Sequence, residues 1–93
     1  MADRITDTYL SDLERLSAAA APGPWDVSHV RDGVESFAVV HPAGTVCFES
    51  EEEAGDFDRD VRDLIAADFA FIAAARSAIP ALVAEVRRLR AGR

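Results

Sequence analysis

The chain has 93 residues, 49% of them hydrophobic, with ten Arg, no Lys, 17 acidic residues and a formal net charge of −7. That length holds one domain and no second independent core, and a half-apolar composition with a Trp and five Phe excludes wholesale disorder. A single Cys excludes an intrachain disulfide framework and a thiolate metal cluster.

The first expected element is a helix over 6–20. Tyr9, Leu13, Leu16 and Ala20 recur on one face, with Leu10 beside them. Thr6 is a candidate N-cap; Ser11 and Glu14, three apart, offer a capping box as the alternative start. Pro22-Gly23-Pro24 ends the helix, because proline lacks an amide donor and pushes the preceding residue out of helical geometry.

Residues 25–48 read as a three-stranded antiparallel meander. Trp25 and Val27 alternate with Asp26 and Ser28, and Asp32-Gly33 signals a tight turn. Phe37, Val39 and an extra apolar Val40 follow, then a second turn at Pro42-Ala43-Gly44 and the β-prone run Thr45–Phe48. Trp25 is expected to anchor the core. So small a sheet is marginal in water and must be covered by helices.

Residues 49–59 form an expected acidic loop. Between Glu49 and Asp63 eight acids face two Arg, whereas five Arg face two acids from Leu64 onward. Val61, Leu64, Ile65, Phe71, Ile72 and Ala75 are placed on one face of a helix over 60–76. Asp68 either caps a fresh helix from Phe69 or sits as a carboxylate near the core of one long helix. A last helix over 78–90 follows, started near Ser77 with Pro80 in its first turn. Its Ile79, Leu82, Val86 and Leu89 occupy a, d, a and d of two heptads, read either as core packing or as a self-association seam. No apolar run approaches the ~20 residues of a bilayer span, and no basic segment precedes an apolar one at the start, so a cytoplasmic protein without a membrane partner is expected.

Motifs for chemistry are weak. Asp56, Asp58 and Asp60 have the first three spacings of a calcium loop, but Val61 stands where Gly is needed and Ala67 where a bidentate Glu belongs. His29, His41 and Cys47 lack zinc-site spacing, and His41 before Pro42 reads as a strand cap at a turn. Cys47 has no nucleophile elbow or oxyanion hole beside it and reads as a small buried hydrophobe. No phosphate-binding glycine loop is present. These readings exclude no residue from the core, but they leave catalysis, cofactor and metal without a candidate. The acidic middle disfavours direct nucleic-acid binding. Arg87, Arg88, Arg90 and Arg93 either offset a helix macrodipole or contact an anion.

At Ala21-Pro-Gly-Pro-Trp25, at Asp68-Phe-Ala-Phe-Ile-Ala-Ala-Ala-Arg76 and at Ile79-Pro-Ala-Leu-Val-Ala-Glu-Val-Arg-Arg-Leu-Arg90 the chain resembles small accessory proteins of phages and prophages, similar to the ead-like early proteins of lambdoid phages and their actinobacterial-phage relatives. Phe69 and the long acidic insertion depart from that pattern. The resemblance implies a phage-encoded protein in the cytoplasm of a bacterial host, with no activity or site residue to carry over.

The expectation is therefore one α+β domain over 1–93: an N-terminal helix, the meander, and a C-terminal helix pair packed on the sheet. Its expected function is non-enzymatic binding of a host protein. Glu51, Glu52, Glu53, Asp56 and Asp58 form the candidate interface, and Ile79, Leu82, Val86 and Leu89 the candidate homodimer seam. The alternatives are an acidic DNA-mimic inhibitor and an oligomeric sponge for a nucleotide signal, held by the C-terminal Arg residues.

Overall fold

The computed structural model describes residues 4–92, the side chains of residues 53 and 54 excepted. Helix α1 spans Asp7–Ala19. Thr6 starts it: its backbone is extended, and its hydroxyl accepts the Tyr9 N–H at 3.0 Å. Ser11 does not cap; its hydroxyl instead accepts from Arg87. Leu10 is the buried residue of α1, which closes at an extended Ala20 just ahead of the Pro-Gly-Pro segment.

Strands β1 (Asp26–Val30), β2 (Ser36–His41) and β3 (Gly44–Ser50) form an antiparallel sheet in the order β1-β2-β3. Val27 pairs with Val39 and His29 with Phe37; across β2, Val39 pairs with Cys47 and Phe37 with Glu49. Side chains alternate between faces along a strand, so these residues share the inner face. Ser28, Ala38 and Phe48, also in register, share the outer one. The register shifts between Val39 and Val40: Val40 pairs with Thr45, so the extra residue of the irregularity is Val46 of β3. At the β2–β3 turn His41 Nδ1 accepts the Ala43 N–H at 3.2 Å, the turn-capping role expected of it.

The acidic segment is more ordered than a loop over 49–59. Glu49 and Ser50 complete β3, and Glu51–Ala54 form a single helical turn, α2. The Ser50 hydroxyl accepts the Glu52 N–H at 3.2 Å. Gly55 closes α2 at φ +87, a conformation that costs a residue with a Cβ, and donates its N–H to the Glu51 carbonyl.

The expected C-terminal helix pair is one helix, α3, running 33 residues from Arg59 to Ala91. Asp58 is its N-cap, accepting the Val61 N–H at 2.9 Å. Neither Asp68 nor Ser77 interrupts it, and Asp68 is exposed, so it is neither a cap nor a carboxylate in the core. Pro80 lies inside the helix. It removes one amide donor, but strong helix formers surround it, and the helix is held on both sides: against the sheet before it and against α1 after it. Joining the pair also corrects the reading of run length. An 18-residue window of α3 has a mean hydropathy of 1.6 and at most two charges, enough by length and composition alone to cross a membrane.

Phe37, Val39, Phe57 and Phe69 form the main core, with Trp25, Cys47, Ile65, Ala66, Ile72 and Ala73 packed around them. The Phe37 ring lies 6.2 Å from Phe57 and 6.3 Å, edge-on, from Phe69. Trp25 is half-buried as an anchor: its indole N–H donates to the Ala21 carbonyl at 3.1 Å, and the Arg76 guanidinium sits 5.8 Å from its ring centre. Farther along α3 the buried residue is Val83, where α1 packs with Leu10.

Candidate protein-binding surface

One polar cluster ties the sheet to the start of α3. Glu35, 5% exposed at the entry to β2, receives both oxygens' hydrogen bonds from Arg62 Nε at 2.9 Å. His29 Nε2–H donates to its Oε2 at 2.5 Å, with the imidazole stacked on Phe37 at 4.1 Å, and Arg31 stands 3.8 Å away. Burial pushes the Glu35 carboxyl up, but the hydrogen bonds and charge of His29 and Arg62 outweigh it and hold the carboxyl below the usual glutamate range. Arg62 also donates to the Phe57 carbonyl at 3.2 Å. Every charged group here has its partner within the fold, so the cluster is a clasp between β2 and α3. Sequence reasoning missed it because Glu35 and Arg62 meet only through the tertiary fold.

Of the expected acidic interface, two members are occupied internally. Glu51 accepts the Glu35 N–H at 3.0 Å and the Phe57 N–H at 2.7 Å, which fixes the buried Phe57 under the sheet. Asp58 caps α3. Glu52 and Asp56 are exposed, and Glu53 lies outside the described side chains. The five residues therefore do not make one free carboxylate surface. Among the described residues no group of three His, Cys, Asp or Glu comes together to hold a metal.

The expected seam divides as well. Ile79 and Val86 are half-buried and, with Val83, line the groove against Tyr9, Leu10 and Leu13 of α1. That is core packing. Ion pairs rim it: Arg87 reaches Glu14 at 2.8 Å and Arg90 reaches Asp7 at 2.8 Å. Leu82, at the rim of that same groove, and Leu89 stand 60% and 53% exposed.

Those two leucines belong to a longer stripe. Leu64, 62% exposed, and Phe71, 75% exposed, lie on the same outer face, although the sequence placed them inside with Ile65 and Ile72. The inner face is Ile65, Phe69 and Ile72, packed on the sheet; one residue earlier in each turn the chain faces outward. Leu64, Phe71 and Ala78 repeat every seven residues, as do Ala75, Leu82 and Leu89. Exposed Ala67, Ala74 and Ala81 widen the stripe. A seven-residue repeat across the whole of α3 was the available signal, and it is visible only when the helix is read as continuous.

Beside the stripe, an apolar depression of about 330 Å³ lies between α1 and α3, lined by Leu13, Leu16, Trp25, Phe71, Ile72 and Ile79. Phe71 forms part of its wall, so depression and stripe are one continuous surface. Scattered exposed apolar residues are ordinary; a row of four large ones along one helix face, with Ala67, Ala75 and Ala78 between them and Asp68 and Glu85 at its edges, marks an interaction surface. Comparison of the chain with protein families, curated proteins and solved structures finds no match.

Proposed function

We propose that this chain is a protein-binding module without catalysis of its own, an accessory protein of phage type, and that it works through the outer face of α3. The observation that supports this is the stripe Leu64–Phe71–Leu82–Leu89, more than half exposed at each large residue along one face of a 33-residue helix. A helix with one apolar face on its own sheet and a second one uncovered has a second packing partner in its working state.

The acidic DNA-mimic reading has less support, because Glu51 and Asp58 are turned to internal hydrogen bonds. The nucleotide-sponge reading has less as well, since Arg87 and Arg90 are already paired with Glu14 and Asp7.

The test is a photo-crosslinking residue in place of Phe71, with a second chain carrying it in place of Phe48 on the outer face of the sheet. Both are expressed in a high-GC actinobacterial host and irradiated in cells. The expected result is a protein adduct at position 71 and none at position 48. A chain that stays uncrosslinked at 71, or reacts there only with lipid, overturns the reading.

A further inference from the structure

The stripe has a property that selects its occupant. Its large residues are placed symmetrically about the helix segment 75–78: Leu64 lies as far before it as Leu89 lies after, and Phe71 as far before as Leu82 after. We infer that the outer face of α3 is covered by a second copy of this chain, antiparallel, with the two-fold axis between Ala75 and Ala78. This rests on the reading that the face takes a protein. In that arrangement Leu64 meets Leu89 of the second copy, Phe71 meets Leu82, and Ala75 meets Ala78. Small residues at the axis let the helices approach closely, and larger ones flank it on both sides, which is the self-complementarity a two-fold contact requires.

Charge biases the direction. Net charge changes sign along α3: Arg59, Asp60, Arg62, Asp63 and Asp68 leave its first part net −1, and Glu85, Arg87, Arg88 and Arg90 leave its last part net +2. An antiparallel pair lays the net-acidic part beside the other copy's net-basic part, whereas a parallel pair would set the two basic parts together; with Arg87 and Arg90 paired to Glu14 and Asp7, this is a weak bias of direction. Within the stripe Asp68 comes opposite Glu85, a like-charge contact that the Arg88 paired with Glu85 offsets in part.

Area allows it. The chain exposes 6753 Å², whereas a folded protein of its mass exposes roughly 5,200 Å². The excess of roughly 1,500 Å² follows from the length of the 33-residue α3, and it leaves surface enough for the ~1,000 Å² or more that each partner contributes to an obligate homodimer. Its radius of gyration of 16.9 Å likewise exceeds the ~12 Å of a compact chain of this length.

The purified chain at micromolar concentration should sediment at twice the 10.0 kDa of one chain. Phe71→Glu should sediment as a monomer with unchanged helix content and a cooperative melt. Should that variant fail to fold, Ala78→Arg, at the axis and away from the core, gives the same reading. Orientation is measured with a nitroxide on Asp63→Cys in a Cys47→Ala background. The antiparallel pair places the two labels about 40 Å apart, and a parallel pair places them under about 20 Å. A wild-type monomer overturns the inference, as do a dimer that survives both substitutions and a dimer with the short distance. If the chain is a monomer and position 71 crosslinks to a different protein in cells, the docking reading stands and the self-association falls. A monomer that floats with phosphatidylcholine–phosphatidylglycerol vesicles overturns both.

Discussion

The two halves of α3 are held in different ways. The first half lies on the sheet over a core of three buried Phe and a Val, and is locked to β2 by the Arg62–Glu35–His29 cluster. Among the described residues the second half packs on α1 and on Ile5 just before it, through buried Leu10 and Val83, with half-buried Ile79 and Val86 beside them and ion pairs of Arg87 and Arg90 along the rim. Exposed pairs of that kind contribute little each, so the second half relies on a thin apolar contact. Support is therefore uneven along one continuous helix: the sheet half is held by a core and a buried ionic clasp, and the α1 half by the thinner contact, which is the first expected to open.

The largest expected effect breaks the sheet half. Phe37 touches Phe57, Phe69 and the His29 ring, so Phe37→Ala removes the contact point of the whole core. A loss of about 3–5 kcal/mol is expected, enough to unfold a domain of this size near room temperature, measured by urea titration. Leu10→Ala tests the other half. It should lose about 2–4 kcal/mol, but as local release of α1, so that amide exchange rises over Asp7–Ala19 before it rises in β2. Equal loss of protection in α1 and β2 would show the two halves to be one cooperative unit and end the comparison.

The clasp gives a pH-dependent way to sharpen it. The folded Glu35 carboxyl lies below the ordinary value near 4.5, so its stabilisation is fully present above that value and is lost as pH falls through the folded one. Thermal midpoints measured from neutral pH downward should hold until about pH 4.5 and then decline. In Glu35→Gln the midpoint should start lower at neutral pH and decline less on acidification. A parallel acid limb in wild type and variant would mean that Glu35 does not set it. At the far end, Thr6→Ala removes the α1 cap and should cost about 1 kcal/mol, confined to the first turn of α1.

How much of this was legible in the sequence depends on the range of the signal. The start of α1 at Thr6, the meander with its two turns, and the Trp25 anchor follow from residues close in the chain, and the α+β class follows from them. The continuity of α3 was not legible, because Ser77 and Pro80 carry the local chemistry of a helix start, and only the packing on either side of them decides otherwise. That misreading had a cost at the candidate surface. With the helix cut in two, Leu64 and Phe71 were placed inward with Ile65 and Ile72, and Leu82 and Leu89 were joined to Ile79 and Val86. The internal use of Glu51 was equally out of reach, since its partners Glu35 and Phe57 are set by the fold and not by spacing.

The smallest expected effect separates two exposed phenylalanines that composition cannot tell apart. Phe48 is 52% exposed and Phe71 75%. Phe48 stands on the outer face of the sheet beside Ala38, with Ser28 beyond it in register and Val30, Val40 and Val46 at alternate positions on the same face. Phe71 stands in a row that continues through Leu64 and Leu82 with alanine on either side. The contrast lies in the element behind each: Phe48 has small valines spread over a short sheet, whereas Phe71 is one of four large residues along a 33-residue helix. Phe48→Ser should therefore change stability by no more than about 0.5 kcal/mol and leave the sedimenting mass as it was. If Phe48→Ser instead splits the dimer while Phe71→Glu does not, the contact lies on the sheet, and the outer face of α3 is a solvent face despite its composition.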